Sequence, residues 1–299
     1  MVSFRCWESE EVLRSRFAIV ALTLASLAGW WPVVAADSGS LSMVVMDPLA
    51  APLSCPCVEG YAQRDYEVLA EHLESALGRT VQVTFAESLA TAVQKSGRPA
   101  DIVIGKQSVV HSDATKMDLD MSPICRLTDL KGSTDQFGMI VVHRDDPARS
   151  AEDLSGYTIF FGPAEAEEKH SAALQLLSEA GISVTAERQK ISPACSDGAC
   201  KVVDMGPESR AAAVISSYAQ PLLEGCGTIK KGDLRVLAKT KPVPFVTLFA
   251  AEAFDRDELA KLRTALSTVA VEPTVLEALE SLVGFLPIED SDAKKKAKS

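Results

Sequence analysis

Two strand-forming segments near the middle of the chain, separated by a short helical turn, constrain the fold more than any other feature. Residues 137–143 have the sequence FGMIVVH, which is β-branched, apolar and followed by the turn-forming residues RDDP, so a buried strand is predicted there. Ser150 and Asp153 have the spacing of a capping box, and Gly156 can take the left-handed conformation that ends a helical turn. Residues 157–161, YTIFF, then form a second strand. We therefore predict one helical turn between two strands.

Strands and helices alternate in the segment that precedes this pattern. Apolar runs at 41–46, 80–85 and 101–105 predict strands, and helical periodicity at 61–77 and 89–96 predicts the helices between them. Strand, helix, strand, helix, strand is the order of parallel pairing with right-handed crossovers. The fold class predicted is α/β.

The pattern at 137–161 resembles the crossover into the second lobe of type 2 periplasmic solute-binding proteins. Three later segments, AAAVISSY at 211–218, GDLRVL at 232–237 and KPVP at 241–244, are similar to the phosphate, phosphite and phosphonate branch of that family, which serves ABC importers. The resemblance implies a two-lobed periplasmic-binding-protein type 2 fold. Each lobe is then an αβα sandwich with a mostly parallel sheet, and two hinge crossings permit closure over a ligand.

This resemblance implies a division of the chain into segments. We expect the first lobe to comprise 37–135 and a return segment at 243–288, and the second lobe to comprise 136–242. Residues 289–299 are charged and lack apolar periodicity, so a disordered tail is expected there.

The N-terminus has the pattern of a signal peptide. Arginines precede an apolar run from Phe17 to Val34, and the small residues Val34 and Ala36 occupy the positions that signal peptidase requires before Asp37. The alternative is an uncleaved membrane anchor, because the run has about the length of a short spanning helix. We predict that residues 1–36 are removed and that the protein is periplasmic.

Charge and motif content exclude several classes of function. The 299 residues carry a net charge of −11, so no basic surface is predicted for nucleic-acid binding. No nucleophile lies beside a base at an interpretable spacing, and no zinc-type ligand spacing occurs. We expect a monomer that is not an enzyme and that uses neither a cofactor nor a metal.

The cysteines are consistent with export. Cys6 lies in the predicted signal peptide, and an even number remains, which favours disulfides in an oxidising compartment: Cys55, Cys57, Cys125, Cys195, Cys200 and Cys226. Cys195 and Cys200 enclose a short stretch containing Gly198 and are the expected local pair. Cys55 and Cys57 have three open alternatives: pairing with Cys125, pairing with Cys226, or forming a redox or metal couple.

The resemblance also indicates a ligand loop. Phosphonate binders of the family carry a Ser-Thr-Ser-Gly run after the Phe-Gly of the second lobe, where helix amides receive the anion. Here this place has the sequence PAEAEEKHS, so Glu165, Glu167 and Glu168 replace the hydroxyls. One alternative is that these carboxylates lie on the surface, where their negative charge stabilises the N-terminus of a helix. The other is that they line the cleft, where they would repel a bound dianion. His170 is either a pH-sensitive ligand contact or a surface histidine.

Further ligand candidates follow from the family or from strand ends. The family has a second oxyanion-binding position, which precedes the first strand of the second lobe. Ser133 and Thr134 lie at this position here, and their hydroxyls and amides are candidate contacts. The others follow predicted strands or begin helices, where ligands bind in open α/β sheets: Tyr61, Arg64, Lys106, Gln107, Ser216, Ser217 and Tyr218.

The function that the resemblance implies is that of the periplasmic solute-binding component of an ABC importer. Its ligand is a small oxyanion of the phosphate or phosphonate type, or a related polar solute, and its partner is a membrane permease. Two alternatives are an accessory factor of a periplasmic quinoprotein dehydrogenase and a metal-cation receptor that uses the acidic loop.

The signal sequence gives a direct prediction. Protein isolated from the cell envelope begins at or near Asp37 when its N-terminus is determined by mass spectrometry. Membrane-embedded protein that retains residues 1–36 would contradict it.

Overall fold

The computed structural model describes residues 39–54 and 62–288. By its contacts the chain divides into two units, 1–36 and 37–299, and every described residue belongs to the second unit. The predictions for the signal peptide, the tail at 289–299, Tyr61, Cys55 and Cys57 lie outside the described residues. In the part that is described, no helix is both long and apolar enough to cross a membrane.

One sheet is built from the two ends of the described chain. Its strand order is β13-β4-β12-β3-β1-β2, with β1 (Leu41–Met46), β2 (Val81–Phe85), β3 (Ile102–Lys106), β4 (Met121–Leu127), β12 (Val246–Ala251) and β13 (Phe285–Pro287). Strand β1 runs parallel to β2 and β3. Strand β12 runs antiparallel between β3 and β4, and β13 runs antiparallel to β4.

A second sheet is built from the middle of the chain. Its strand order is β10-β6-β9-β7-β8, with β6 (Gly138–His143), β7 (Thr158–Phe161), β8 (Gln189–Ile191), β9 (Ala211–Ser216) and β10 (Leu234–Lys239). Strand β7 runs parallel to β8 and β9, while β6 runs antiparallel to β9 and β10.

A short antiparallel ribbon stands where the chain passes between the two sheets. It pairs β5 (Asp135–Gln136) with β11 (Val243–Pro244). The first strand leads into the second sheet and the other leads back to the first sheet. The lobe boundaries at 135/136 and 242/243 stay a prediction.

Helices cover both faces of each sheet, as the αβα prediction requires. They are α1 (Tyr66–Leu77), α2 (Leu89–Ser96), α3 (Gln107–Lys116), α4 (Ser171–Glu179), α5 (Cys195–Met205), α6 (Ala219–Gly225), α7 (Arg256–Thr268) and α8 (Pro273–Ala278). Successive side chains of β1 point to opposite faces, so Met43 packs with Leu69 of α1 and Val44 packs with Val110 of α3.

The α/β class is confirmed, but the sheets are less parallel than we predicted. Parallel and antiparallel pairs occur in both sheets. The physical reason is the route of the chain, because β12 returns through the ribbon into the first sheet and runs against β3 and β4. A strand that returns in this way needs no crossover helix.

The one-turn helix between β6 and β7 is confirmed. Residues Ala151–Leu154 form a 3₁₀ turn, and the backbone N–H of Ser150 donates to Asp153 Oδ2 at 3.0 Å. Gly156 has a positive φ of 77°, which is the left-handed conformation that the sequence predicts.

The structure does not contain the Cys195–Cys200 disulfide that we expected. Both residues lie in helix α5, where residues five apart point roughly 140° away from each other around the axis. Gly198 is a buried helical residue and not part of a loop. Three of the cysteines in the described residues are free thiols: Cys125, Cys195 and Cys200.

The burial of Cys125 gives a second prediction. Burial raises the pKa of this thiol well above its ordinary value, so its reactive thiolate is scarce. In native protein treated with iodoacetamide, mass mapping should find Cys125 unlabelled and no peptide that links Cys195 to Cys200. Denaturant should make Cys125 label fully. Equal labelling of Cys125 in native and unfolded protein, or a linked Cys195–Cys200 peptide, would contradict the arrangement.

Candidate ligand site at a buried ion pair

A buried ion pair joins the first sheet to the second. Lys106 is the last residue of β3, and its Nζ donates to Oε1 of Glu168, which lies in the 3₁₀ turn Glu167–Lys169 before α4. The two side chains are 8% and 0% exposed. Ser216, the last residue of β9, donates its hydroxyl to the same Oε1 at 2.7 Å. One carboxylate oxygen is thus held by an ammonium and a hydroxyl group.

Two glycines allow the turn that carries Glu168 to lie against the second sheet. A Cβ on Gly138 would lie 2.0 Å from the backbone oxygen of Glu168. A Cβ on Gly162 would lie 2.6 Å from the Cβ of Lys169. Both distances are shorter than real Cβ atoms adopt, so the close approach that positions Glu168 depends on the absence of a side chain at these positions.

The environment of Glu168 keeps it ionised. Burial by itself raises the pKa of Glu168, but the charge of Lys106 and the hydrogen bonds from Lys106 and Ser216 outweigh burial, so the pKa lies below its ordinary value. The second carboxylate oxygen, Oε2, is buried and has no hydrogen-bond partner among the described residues. Glu168 is therefore a buried anion that is satisfied at only one of its oxygens.

Tyr218 closes one side of this site. Its ring stacks on Phe245 with centroids 5.2 Å apart, and Lys106 Nζ lies 6.0 Å from the Tyr218 centroid. Burial, followed by the proximity of Cys195 and Glu168, raises the pKa of Tyr218 well above its ordinary value. The phenol is therefore neutral. Cys195 belongs to the same cluster, because its Sγ accepts from the backbone N–H of Ser216 at 3.4 Å.

A second buried polar group lies next to Phe245. Arg64 Nη1 donates to Asp47 Oδ2 at 2.9 Å, and the Tyr66 hydroxyl donates to the same oxygen at 2.6 Å. Arg64 Nε donates to the backbone oxygen of Leu279 at 3.0 Å, and the guanidinium lies 5.5 Å from the Phe245 centroid. Arg64, which we predicted as a ligand contact, is thus engaged by Asp47, a residue that the sequence reasoning missed.

Gln107 and Ser217 hold backbone segments near the site. The N–H of Gln107 donates to the backbone oxygen of Phe245 at 2.9 Å, and its Oε1 accepts from Thr247 at 3.2 Å. The N–H of Ser217 donates to the backbone oxygen of Phe137 at 2.8 Å, and its hydroxyl accepts from the N–H of the same residue. Both residues therefore anchor the strands that meet at the site.

Three predicted ligand contacts are engaged elsewhere. Ser133 is exposed and donates its hydroxyl to the backbone oxygen of Asp135 at 3.3 Å. The backbone oxygen of Thr134 accepts from Phe245 at 2.9 Å. His170 Nδ1 lies 2.9 Å from the backbone oxygen of Gly162. Among the hydrogen bonds of the described chain, none joins these side chains to Lys106 or Glu168, so their ligand roles stay predictions.

The three carboxylates of the acidic loop do not point to one place. Glu168 faces Lys106, whereas Glu165 and Glu167 line a cavity of about 670 Å³ next to the ion pair. In the described ranges, no group of three or more His, Cys, Asp or Glu side chains is placed to hold a metal ion.

The sequence comparison decides the family. The family described as "ABC transporter, phosphonate, periplasmic substrate-binding protein" matches residues 60–293. The chain belongs to this family. It therefore belongs among the solute-binding proteins of transport systems, as the resemblance implied. No curated protein sequence matches the chain.

Solved structures of phosphonate-type binding proteins share the fold. A binding protein component of an ABC phosphonate transporter from Pseudomonas aeruginosa has a TM-score of 0.65 at 15% identity, over 88% of this chain and 85% of its own. PhnD1 of Prochlorococcus marinus, in complex with methylphosphonate, has a TM-score of 0.61 at 11% identity, over 87% of this chain and 96% of its own. A Xanthomonas citri protein bound to ATP has a TM-score of 0.64 at 17% identity, over 87% of this chain and 95% of its own. At these identities the likeness concerns the fold.

The depressed pKa of Glu168 predicts how stability depends on pH. A carboxylate whose pKa is lower in the folded state stabilises the fold above its unfolded pKa, about 4.3, and loses this contribution as the pH falls through the folded pKa. The difference in free energy of unfolding between the wild type and Glu168→Gln, measured with urea, should be largest near pH 7 and shrink steadily below about pH 4.3.

A matched control is Glu187→Gln, because Glu187 is exposed and distant in sequence from the pair. Its effect on the free energy of unfolding should be small at every pH. A wild-type advantage over Glu168→Gln that stays constant from neutral to acid pH would contradict the lowered pKa of Glu168.

Proposed function

We propose that this protein is the extracytoplasmic receptor of an ABC importer and that Lys106 and Ser216 hold one oxygen of a small phosphonate-type oxyanion. The family match supports the transport role over that of an accessory dehydrogenase factor. The observation that carries the ligand class is the convergence of Lys106 Nζ and Ser216 Oγ on one buried anionic oxygen, Glu168 Oε1. Charge-assisted donors of this kind bind phosphonate oxygens as well as carboxylate oxygens.

In this proposal Glu168 competes with the ligand for Lys106 and Ser216. Its carboxylate stands in the loop where phosphonate binders of the family carry hydroxyls, and it occupies the donors itself. A buried ion pair contributes little net stability, because the desolvation of both charges offsets their attraction. A buried carboxylate without a partner is costly, so a ligand oxyanion replaces the Glu168 carboxylate only if Glu168 moves out of its buried position. Glu168 lies in a turn of only three residues.

The cellular setting belongs to the same proposal. The protein is exported after cleavage near Ala36, acts as a monomer in the periplasm and delivers its ligand to a membrane permease. Its role is capture and release, not catalysis, as in the transport family to which it belongs.

The test uses methylphosphonate and isothermal titration calorimetry. Glu168→Ser removes a negative charge next to the anion and restores a hydroxyl. Coulomb repulsion at about 4 Å with an effective dielectric constant of about 20 amounts to a few kcal/mol. The affinity for methylphosphonate should therefore rise by about tenfold or more, since 1.4 kcal/mol corresponds to tenfold.

The role of Lys106 is tested in the Glu168→Ser background, where no buried carboxylate is left unpaired. Adding Lys106→Gln should lower methylphosphonate affinity by at least about tenfold, through loss of a charge-assisted hydrogen bond. Adding Lys231→Gln, at an exposed position, is the matched control and should leave it unchanged. Methylphosphonate affinity that responds to neither Glu168 nor Lys106 would reject the site.

A further inference from the structure

The cavity of about 670 Å³ beside the ion pair has two walls from different parts of the chain. Helix α3 and strand β4 supply one wall, and residues 164–171 supply the other. Gln107 and Glu167 line it, and they are the direct chain neighbours of Lys106 and Glu168. Neither Lys106 nor Ser216 is among its lining residues, so the cavity is separate from the oxyanion position. Its volume is in the range of small-molecule sites, about 300–1,000 Å³.

The two walls carry opposite charge. His111, Lys116 and Arg126 line the wall from α3 and β4, and Glu165 and Glu167 line the facing one. Across the described residues, no ion pair joins one wall to the other, and the partner of Lys116 is Asp113 of its own helix at 3.7 Å. Arg126 Nε is buried and has no hydrogen-bond partner in the part of the chain that the structure describes. An unsatisfied buried donor of this kind is costly unless a ligand or water accepts from it.

Apolar side chains lie among these charges. Met121, Pro123, Phe249 and Ile288 contribute to the lining. Largely apolar walls with a few convergent polar groups are the usual composition of a small-molecule site, in which the polar groups fix the orientation of the ligand.

We infer that this cavity binds a small zwitterion with an apolar body. Its acidic group accepts from Arg126, with His111 and Lys116 nearby, and its amino group contacts Glu165 and Glu167. A ligand of this charge pattern places each of its charges against a wall of opposite sign, with the Arg126 side chain on one wall and Glu165 and Glu167 on the other. A singly charged ligand leaves one wall without a counter-charge, so both charges are required for tight binding.

The experiment is calorimetric titration of the wild type with ω-amino carboxylates from glycine to 8-aminooctanoate. For each chain length the matched controls are the carboxylic acid without the amino group and the amine without the carboxylate. At least one amino carboxylate should bind about tenfold or more tightly than both of its controls. Failure of the whole series to bind, or equal binding of the single-charge controls, would overturn the inference.

Substitutions on each wall test whether that wall contacts the ligand. Arg126→Gln and Glu167→Gln should each weaken binding of the best amino carboxylate by about tenfold, whereas the exposed Arg256→Gln and Glu187→Gln should not change it. If Arg126→Gln does not fold, Glu167→Gln alone decides, because Glu167 is only half-buried. Binding that is insensitive to Glu167→Gln would place the ligand elsewhere.

A separate titration of the Glu168→Ser variant with methylphosphonate keeps the two proposals distinguishable. Failure of this variant to bind methylphosphonate rejects the oxyanion site at Lys106 and Ser216. The zwitterion result is decided by the amino carboxylate series and its variants alone.

Discussion

The buried contact of Lys106 with Glu168 is the interaction on which the arrangement of this site depends. Lys106 lies at the end of β3 in the first sheet, and Glu168 lies in a turn that packs against the second sheet. Desolvation of both charges is costly, so the pair persists only because its geometry is supported by the Ser216 hydroxyl and by the close approach at Gly138. The rings of Tyr218 and Phe245 stack beside it.

The pair also explains how a member of a phosphonate-binding family can carry an acidic ligand loop. Glu168 does not add an unpaired charge to the cleft, because Lys106 neutralises it. The neighbours of the pair, Glu167 and Gln107, contribute to a cavity with opposite charges on its walls. The same short loop thus contributes to both proposed sites, one for an oxyanion and one for a ligand with both charges.

Part of the site was accessible from the sequence because of a general rule. Lys106 and Ser216 end strands, Tyr218 follows one, and the carboxyl ends of strands in open α/β sheets meet at the ligand side. The same rule could have identified Asp47, which directly follows β1. Cys195 was expected to pair with Cys200 and not to contact Ser216, because a glycine between the two cysteines suggested a loop where the structure has a helix.

By itself the sequence determined the alternation of strands and helices, the helical turn before β7 and the family, because these depend on local periodicity, capping and motif order. Tertiary structure decided the antiparallel entry of β12, since strand direction depends on the route by which the chain returns. Tertiary structure also decided that Glu168 is buried whereas Glu165 and Glu167 are only half-buried. Lys106 and Glu168 are 62 residues apart in sequence, and their charges meet only because the turn that carries Glu168 packs against the end of β3.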